Sequence, residues 1–289
     1  MKMIEFLLGL SASFFLALGI VEARRGLENA HYTSCIFIIT MTGFAIFVPI
    51  AILTTDIGKI NFEGVLMFLI AGILNPGLSR VFFYKSVEKI GAVLTSSITP
   101  SSPIISAIFA VIILNEEPWV GLWLSIACIV IGSILIEIGS HGKNFEAKTG
   151  TWLILPVLAS LATGLNDVVR KQALTFLSQP LFGTTLAYVA TLSLYTAAFP
   201  FNGKLLSLLN KNNFKLFWKS GIFLALGQLS SFYALNFGRV LIVAPLIYTQ
   251  PLFVFLLTIT TLKKIENMTW KPLMGSIVMI LGIILLSIR

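Results

Sequence analysis

Charge is what this 289-residue chain has least of. Only 11% of its residues are charged, where an ordinary soluble domain carries about 25%. So few charged side chains cannot coat a globular domain of this length. The same scarcity excludes a disordered chain, which is rich in charge and poor in apolar residues. Cysteine is scarce as well. Cys35 and Cys128 both lie in apolar runs and read as small core residues, not as a disulfide framework. The two histidines, His31 and His141, sit in polar connectors. Without a Cys/His cluster, no metal site and no cofactor are expected. Aspartate occurs twice, at Asp56 and Asp167. There is no Gly-x-Ser-x-Gly, no His-Glu-x-x-His and no nucleotide-binding loop, so no catalytic residues are expected.

What the chain does have is apolar surface. Hydrophobic residues make up 57% and mean hydropathy is +0.95. A net charge of +8 on a soluble protein would raise nucleic acid as a partner. At this hydrophobicity the partner expected is the lipid bilayer, and no nucleic acid is expected.

A helix needs roughly 20 mostly apolar residues to cross a bilayer. Such windows recur at 4–21, 34–54, 63–84, 91–114, 119–139, 152–170, 181–201, 219–238, 241–262 and 272–288. They are too long and too uniformly apolar for barrel strands, which alternate over about ten residues. Lys2 before the apolar stretch 6–21, with Val21-Glu22-Ala23 after it, has the outline of a signal peptide. A matching segment recurs mid-chain, so the stretch reads as a first span. The 202–218 connector carries Lys211 and Lys215, with Lys219 following at the same spacing, and Leu208, Leu209, Phe214, Phe217 and Trp218 between them. It reads equally as an amphipathic interfacial helix or as a polar linker running into the next span.

An internal repeat organises these windows. Leu16-Ala17-Leu18-Gly19 aligns with Leu161-Ala162-Thr163-Gly164 at an offset of 145 residues, and the same offset pairs Glu22 with Asp167 and Arg25 with Arg170. Further on, Pro49 pairs with Pro200, Tyr84 with Tyr233, Pro103 with Pro251, Glu116 with Glu266 and Gly132 with Gly282, at offsets of 148 to 151. Each half then holds five spans, and an odd number forces the second copy to enter the membrane from the opposite side. The expected fold is an all-α integral membrane protein. Its ten transmembrane helices form two inverted five-helix repeats around a central cavity. The first repeat covers 1–139, a connector 140–151, and the second repeat 152–289. Inverted repeats are typical of secondary transporters, with a substrate site near the midplane where the halves meet.

Several residues also carry a family resemblance. Pro103 precedes Glu116 at the end of the fourth window, and Val130-Ile131-Gly132 closes a glycine-containing fifth. Tyr84 followed by Ile90-Gly91-Ala92 leads into the fourth window, and Arg24-Arg25-Gly26-Leu27 ends the first. Over almost the whole chain the pattern resembles the EamA-type transporters of the drug/metabolite transporter superfamily. The resemblance implies a ten-helix fold with a central cavity and transport, often export, of small metabolites. Two departures blur any reading of substrate. Leu18 and Thr163 stand where a tryptophan is common before the glycine, and Lys263-Lys264-Ile265-Glu266 replaces a Gly-Glu pair.

Polar groups inside a span are costly and so mark function by default. Arg80 and Tyr84 share a helix face just after Asn75-Pro76-Gly77, which should loosen the helix. Arg80 reads as an anchor for an anionic group or as an arginine snorkelling to the interface. Ser97, Thr99 and Pro100 in the fourth window, and Tyr248 and Gln250 in the ninth, lie on matching proline-interrupted segments, a pointer to a binding site. Gln228, Ser231 and Tyr233 in the eighth window join them. Helix packing alone is the competing explanation for the small hydroxyl residues. Glu22–Arg25 and Asp167–Arg170 each pair at i,i+3. An intrahelical pair holds the acid ionised, so structural pairing ranks above a role in coupling.

The leading function is a secondary active transporter, in the export direction, of a small organic metabolite such as an amino acid or a related compound. A non-transporting scaffold, a channel or a membrane-embedded enzyme are the alternatives. The protein is expected in the cell membrane, as a monomer or dimer, with a small-molecule substrate. Lys and Arg divide six on the side of the termini against fourteen on the other. The positive-inside rule therefore puts the termini outside, whereas the family resemblance puts them in the cytoplasm.

Overall fold

The computed structural model describes residues 3–140, 151–198, 209–261 and 270–288. Among them the chain is helical with no strand. In order come α1 (Met3–Leu27), α2 (Tyr32–Thr54), α3 (Phe62–Gly72), α4 (Ser79–Ile90), α5 (Ala92–Ile98), α6 (Ser102–Leu114) and α7 (Val120–Ser140). The second half holds α8 (Ile154–Phe176), α9 (Pro180–Ala198), α10 (Lys211–Phe237), α11 (Val240–Ile247), α12 (Gln250–Thr261) and α13 (Lys271–Ser287). Eight helical segments are long and apolar enough to cross a membrane. The windows at 219–238 and 272–288 are helical but outside that set: α13 is a shorter apolar helix of 17 residues, and α10 carries Lys211, Lys215 and Lys219 in its first turns and Gln228 and Ser231 farther on. The lysine-bearing segment is no separate interfacial helix. From Lys211 it runs as one helix into the 219–238 window, its three lysines exposed. His141, Pro200, Leu208, Lys263, Lys264 and Glu266 lie outside the described residues.

Three of the predicted windows are broken where the sequence places proline or a polar residue. Between α3 and α4 the chain makes a π-helical turn over 73–78, with Asn75 out of helical conformation at φ −149° and ψ 122°. Pro76 has no amide N–H to give to the ladder. The carbonyls left over are taken by α9: Thr191 Oγ1 donates to Gly72 O at 2.8 Å, and the Tyr195 hydroxyl to Pro76 O at 2.9 Å. A single 3-10 turn, Thr99–Ser101, separates α5 from α6. Tyr248 and Thr249 separate α11 from α12, and there Ser13 Oγ and Thr249 Oγ1 meet at 3.0 Å across to α1.

Helix pairing follows a reciprocal pattern. α1 packs on α10, as the α3/α4 helix packs on α8. α2 meets α10, as α9 meets α3 and the π turn. α1 also lies on α11 and α12, as α8 lies on α6. α2 pairs with α9, and α7 with α13. Small residues set the last contact. A Cβ on Gly132 would come 2.7 Å from Gly275 O, and one on Gly282 would come 2.9 Å from Ser125 O. Lipid gives no hydrophobic drive to helix association, so close backbone contact of this kind supplies the dispersion energy instead.

Candidate functional site

A cavity of about 720 Å³ lies where the two halves meet. Its mouth is beside His31 and Glu88, both exposed, at the C-terminal end of α1. It ends at Ser102, Asp167, Arg170 and Tyr248. Beyond that depth α1 packs directly on α11, where a Cβ on Gly9 would touch Leu246. Two side chains fasten the junction of α10 and α11. The Glu116 carboxylate, from the α6–α7 connector, accepts from the amides of Val240 at 2.8 Å and Leu241 at 2.9 Å. It thereby caps α11, whose first amides have no partner within the helix. Lys171 Nζ donates to the Leu235 and Gly238 carbonyls at 2.8 and 2.7 Å, closing the C-terminus of α10.

Around the deep wall runs a charged network. Arg170 Nη2 donates to Asp167 Oδ1 at 2.8 Å, and the two side chains are 3% and 2% exposed. The other carboxylate oxygen accepts from the Tyr248 hydroxyl at 2.8 Å and from Ser106 Oγ at 3.1 Å. Arg170 Nη1 donates to Ser231 Oγ at 2.8 Å and to Gln228 Oε1 at 3.2 Å. Asn166, with its amide nitrogen on Ala71 O, accepts from Arg170 at 2.8 Å. Phe232 presents its ring to the guanidinium at 5.1 Å. A buried ion pair is retained when each remaining donor and acceptor is met in this way. The network ties α8 to α3, α6, α10 and the α11–α12 junction.

Of the residues singled out in the sequence, Arg80, Tyr84, Thr99, Pro100, Gln228, Tyr248, Gln250, Asp167 and Arg170 line the cavity. Ser231 stands behind the wall, on Arg170. Ser97 and Tyr233 do not line it; Ser97 Oγ donates to Leu94 O in its own helix. Glu22 and Arg25 pair at 2.6 Å outside the cavity, 25% and 41% exposed. The cavity also holds residues absent from that set. Glu137 lies 4.0 Å from Arg24 across α7 and α1. Tyr32 stacks on Tyr84 with centroids 5.5 Å apart and planes at 14°. Glu137 is a lone acid inside an apolar window, a signal that was readable. Tyr32 offered none, because it sits at the helix edge where aromatics are ordinary.

Arg80 differs from the other two cavity arginines. Its Nη1 is buried with no hydrogen-bond partner; Asn75 and Ser79, on the same cavity wall, bond each other at 2.9 Å.

No curated protein matches the sequence. A solved structure bearing only the description "Crystal structure of protein" superimposes with a TM-score of 0.71, covering 98% of this chain and 98% of its own, at 13% identity. That likeness concerns the fold. The profile of the EamA-like transporter family matches residues 3–138 and again 150–288. With a cavity lined from two copies of one family unit, the chain belongs to the EamA-like transporter family and is a membrane protein of several apolar helices.

Proposed function

We propose that this protein is a secondary active transporter that moves a small organic metabolite across the cell membrane by alternating access, in the export direction. The substrate is of the size of an amino acid and is an amino acid or a related compound. The observation that carries the reading is the cavity between the halves, lined by polar groups from both, with Glu116 and Lys171 fastening the α10–α11 junction outside its lining. Ten spans in two inverted repeats give the chain a means to alternate. The reciprocal pairing of α1 with α10 and of α3/α4 with α8 supports that symmetry. Rocking one half against the other exchanges equivalent contacts and moves the opening to the opposite face.

The test is flux in liposomes holding the purified protein, with and without a proton gradient, over a broad panel of small metabolites. Saturable flux of at least one compound is expected, and accumulation that follows the gradient would identify the proton as coupling ion. No flux for any compound removes the transporter reading and leaves a scaffold.

A further inference from the structure

We propose that the Arg80 end of the cavity is a monoanion subsite, and that the ligand taken there is a small, largely apolar monocarboxylate. This rests on the reading of the cavity as the substrate site. Among the described residues three acids line the cavity, and each is met by a cation: Asp167 by Arg170 at 2.8 Å, Glu137 by Arg24 at 4.0 Å, and Glu88 by Lys89 at 3.4 Å. Arg80 has no such counterpart among them. Its Nη1 lies buried without a hydrogen-bond partner. Glu88, the acid on its own helix, is eight residues on, about 12 Å along the axis. Asp167 already accepts from three donors. A guanidinium nitrogen buried without a partner is unfavourable, and a carboxylate matches the planar fork with two parallel hydrogen bonds.

The rest of the chamber states what the carboxylate is attached to. One turn above Arg80 is Tyr84, its ring stacked on Tyr32, and around them stand Ile20, Ile36, Ile39, Phe83 and Leu224. Such a wall accepts a flat or branched apolar body. It gives no uncommitted carboxylate for an ammonium, so an α-amino group is a liability here. An amino acid must leave its ammonium without a protein partner, whereas its deaminated counterpart has nothing to leave unpaired.

The experiment compares four probes of one shape on the purified wild-type protein: 3-phenylpropanoate, phenylalanine, phenethylamine and 3-phenylpropan-1-ol. Binding is measured by calorimetry and by melting temperature. The anion is expected to bind at least about tenfold more tightly than the zwitterion, and the amine not at all. Arg80→Gln should weaken the anion by about tenfold or more while leaving the alcohol unchanged, which also reports that the variant is folded. Arg80→Lys should restore part of the loss. Should Arg80→Gln not fold, the wild-type series decides alone. Absence of anion binding, equal binding of anion and amine, or anion binding indifferent to Arg80→Gln overturns the proposal. The two readings fail separately. Anion binding without flux in liposomes removes the transporter and leaves the subsite. Flux of an amine that ignores Arg80 does the reverse.

Discussion

The two halves place the same pair of residues at the same step of their first helix, and the pairs end in different surroundings. Glu22 and Arg25 of α1 meet at 2.6 Å with 25% and 41% of their side chains exposed. Asp167 and Arg170 of α8 meet at 2.8 Å with almost none exposed, and Tyr248, Ser106, Ser231 and Gln228 complete their bonding. Repetition has preserved the helical spacing and not the environment. An exposed pair is screened and contributes little. The buried one is an all-or-nothing unit, because losing one partner strands a charge in the wall. The second half thus holds the deep end of the cavity rigid. The first half places its pair outside the cavity and brings Arg24, one residue earlier, to its mouth.

Four measurements break or sharpen this contrast. The largest effect is expected from Arg170→Met, which strands Asp167. It should cost about 3–5 kcal/mol and show as a steep fall in melting temperature in detergent. The double variant Asp167→Asn with Arg170→Met should recover much of that loss, since neither charge is left alone. Next come the places where the halves agree. Gly132→Ala and Gly282→Ala, at equivalent points of the α7–α13 crossing, should each lose about 1–3 kcal/mol. If the crossing is symmetric, the two melting temperatures fall together; a loss at one site alone would break the equivalence. Third, Glu116→Ala removes the cap on α11 and should cost about 1–2 kcal/mol. It should also raise the maleimide labelling rate of a Ser13→Cys reporter, buried on α1 against Thr249. The smallest effect belongs to Glu22→Gln. A change below about 1 kcal/mol is expected, and it should shrink further in high salt. A loss as large as that of Arg170→Met would show that α1's pair is buried in the working protein.

Local chemistry was legible in the sequence, and tertiary surroundings were not. Asn75-Pro76-Gly77 announced a loosened helix because proline's missing donor is a property of the residue itself. The interruptions near Pro100 and Pro251 were readable for the same reason. The i,i+3 pairing of Asp167 with Arg170 follows from helical geometry alone. What separates this pair from Glu22–Arg25 is the set of groups that α3, α6, α10 and the α11–α12 junction bring up to it, from positions 58 to 95 residues away along the chain. No local pattern encodes those. Glu137 with Arg24 is a similar case, since each was visible singly but their approach depends on how α7 crosses α1. The continuous α10 escaped a firm reading because a lysine every fourth residue suits a helix at the interface and the wet end of a spanning helix equally.

The π turn at 73–78 has one more effect. Each residue of an α-helix advances the azimuth by about 100°, and the kink at Asn75 interrupts that progression. The phase of all side chains after it is therefore set by the kink and not by an unbroken helix. Arg80, Tyr84 and Glu88 share one phase on α4 and all line the cavity. The turn works as a phase shifter, and its setting is clamped by the Thr191 and Tyr195 hydroxyls of α9. Removing a single residue between 73 and 78 would leave the span long enough to cross the bilayer, yet it would turn Arg80, Tyr84 and Glu88 away from the chamber in one stroke.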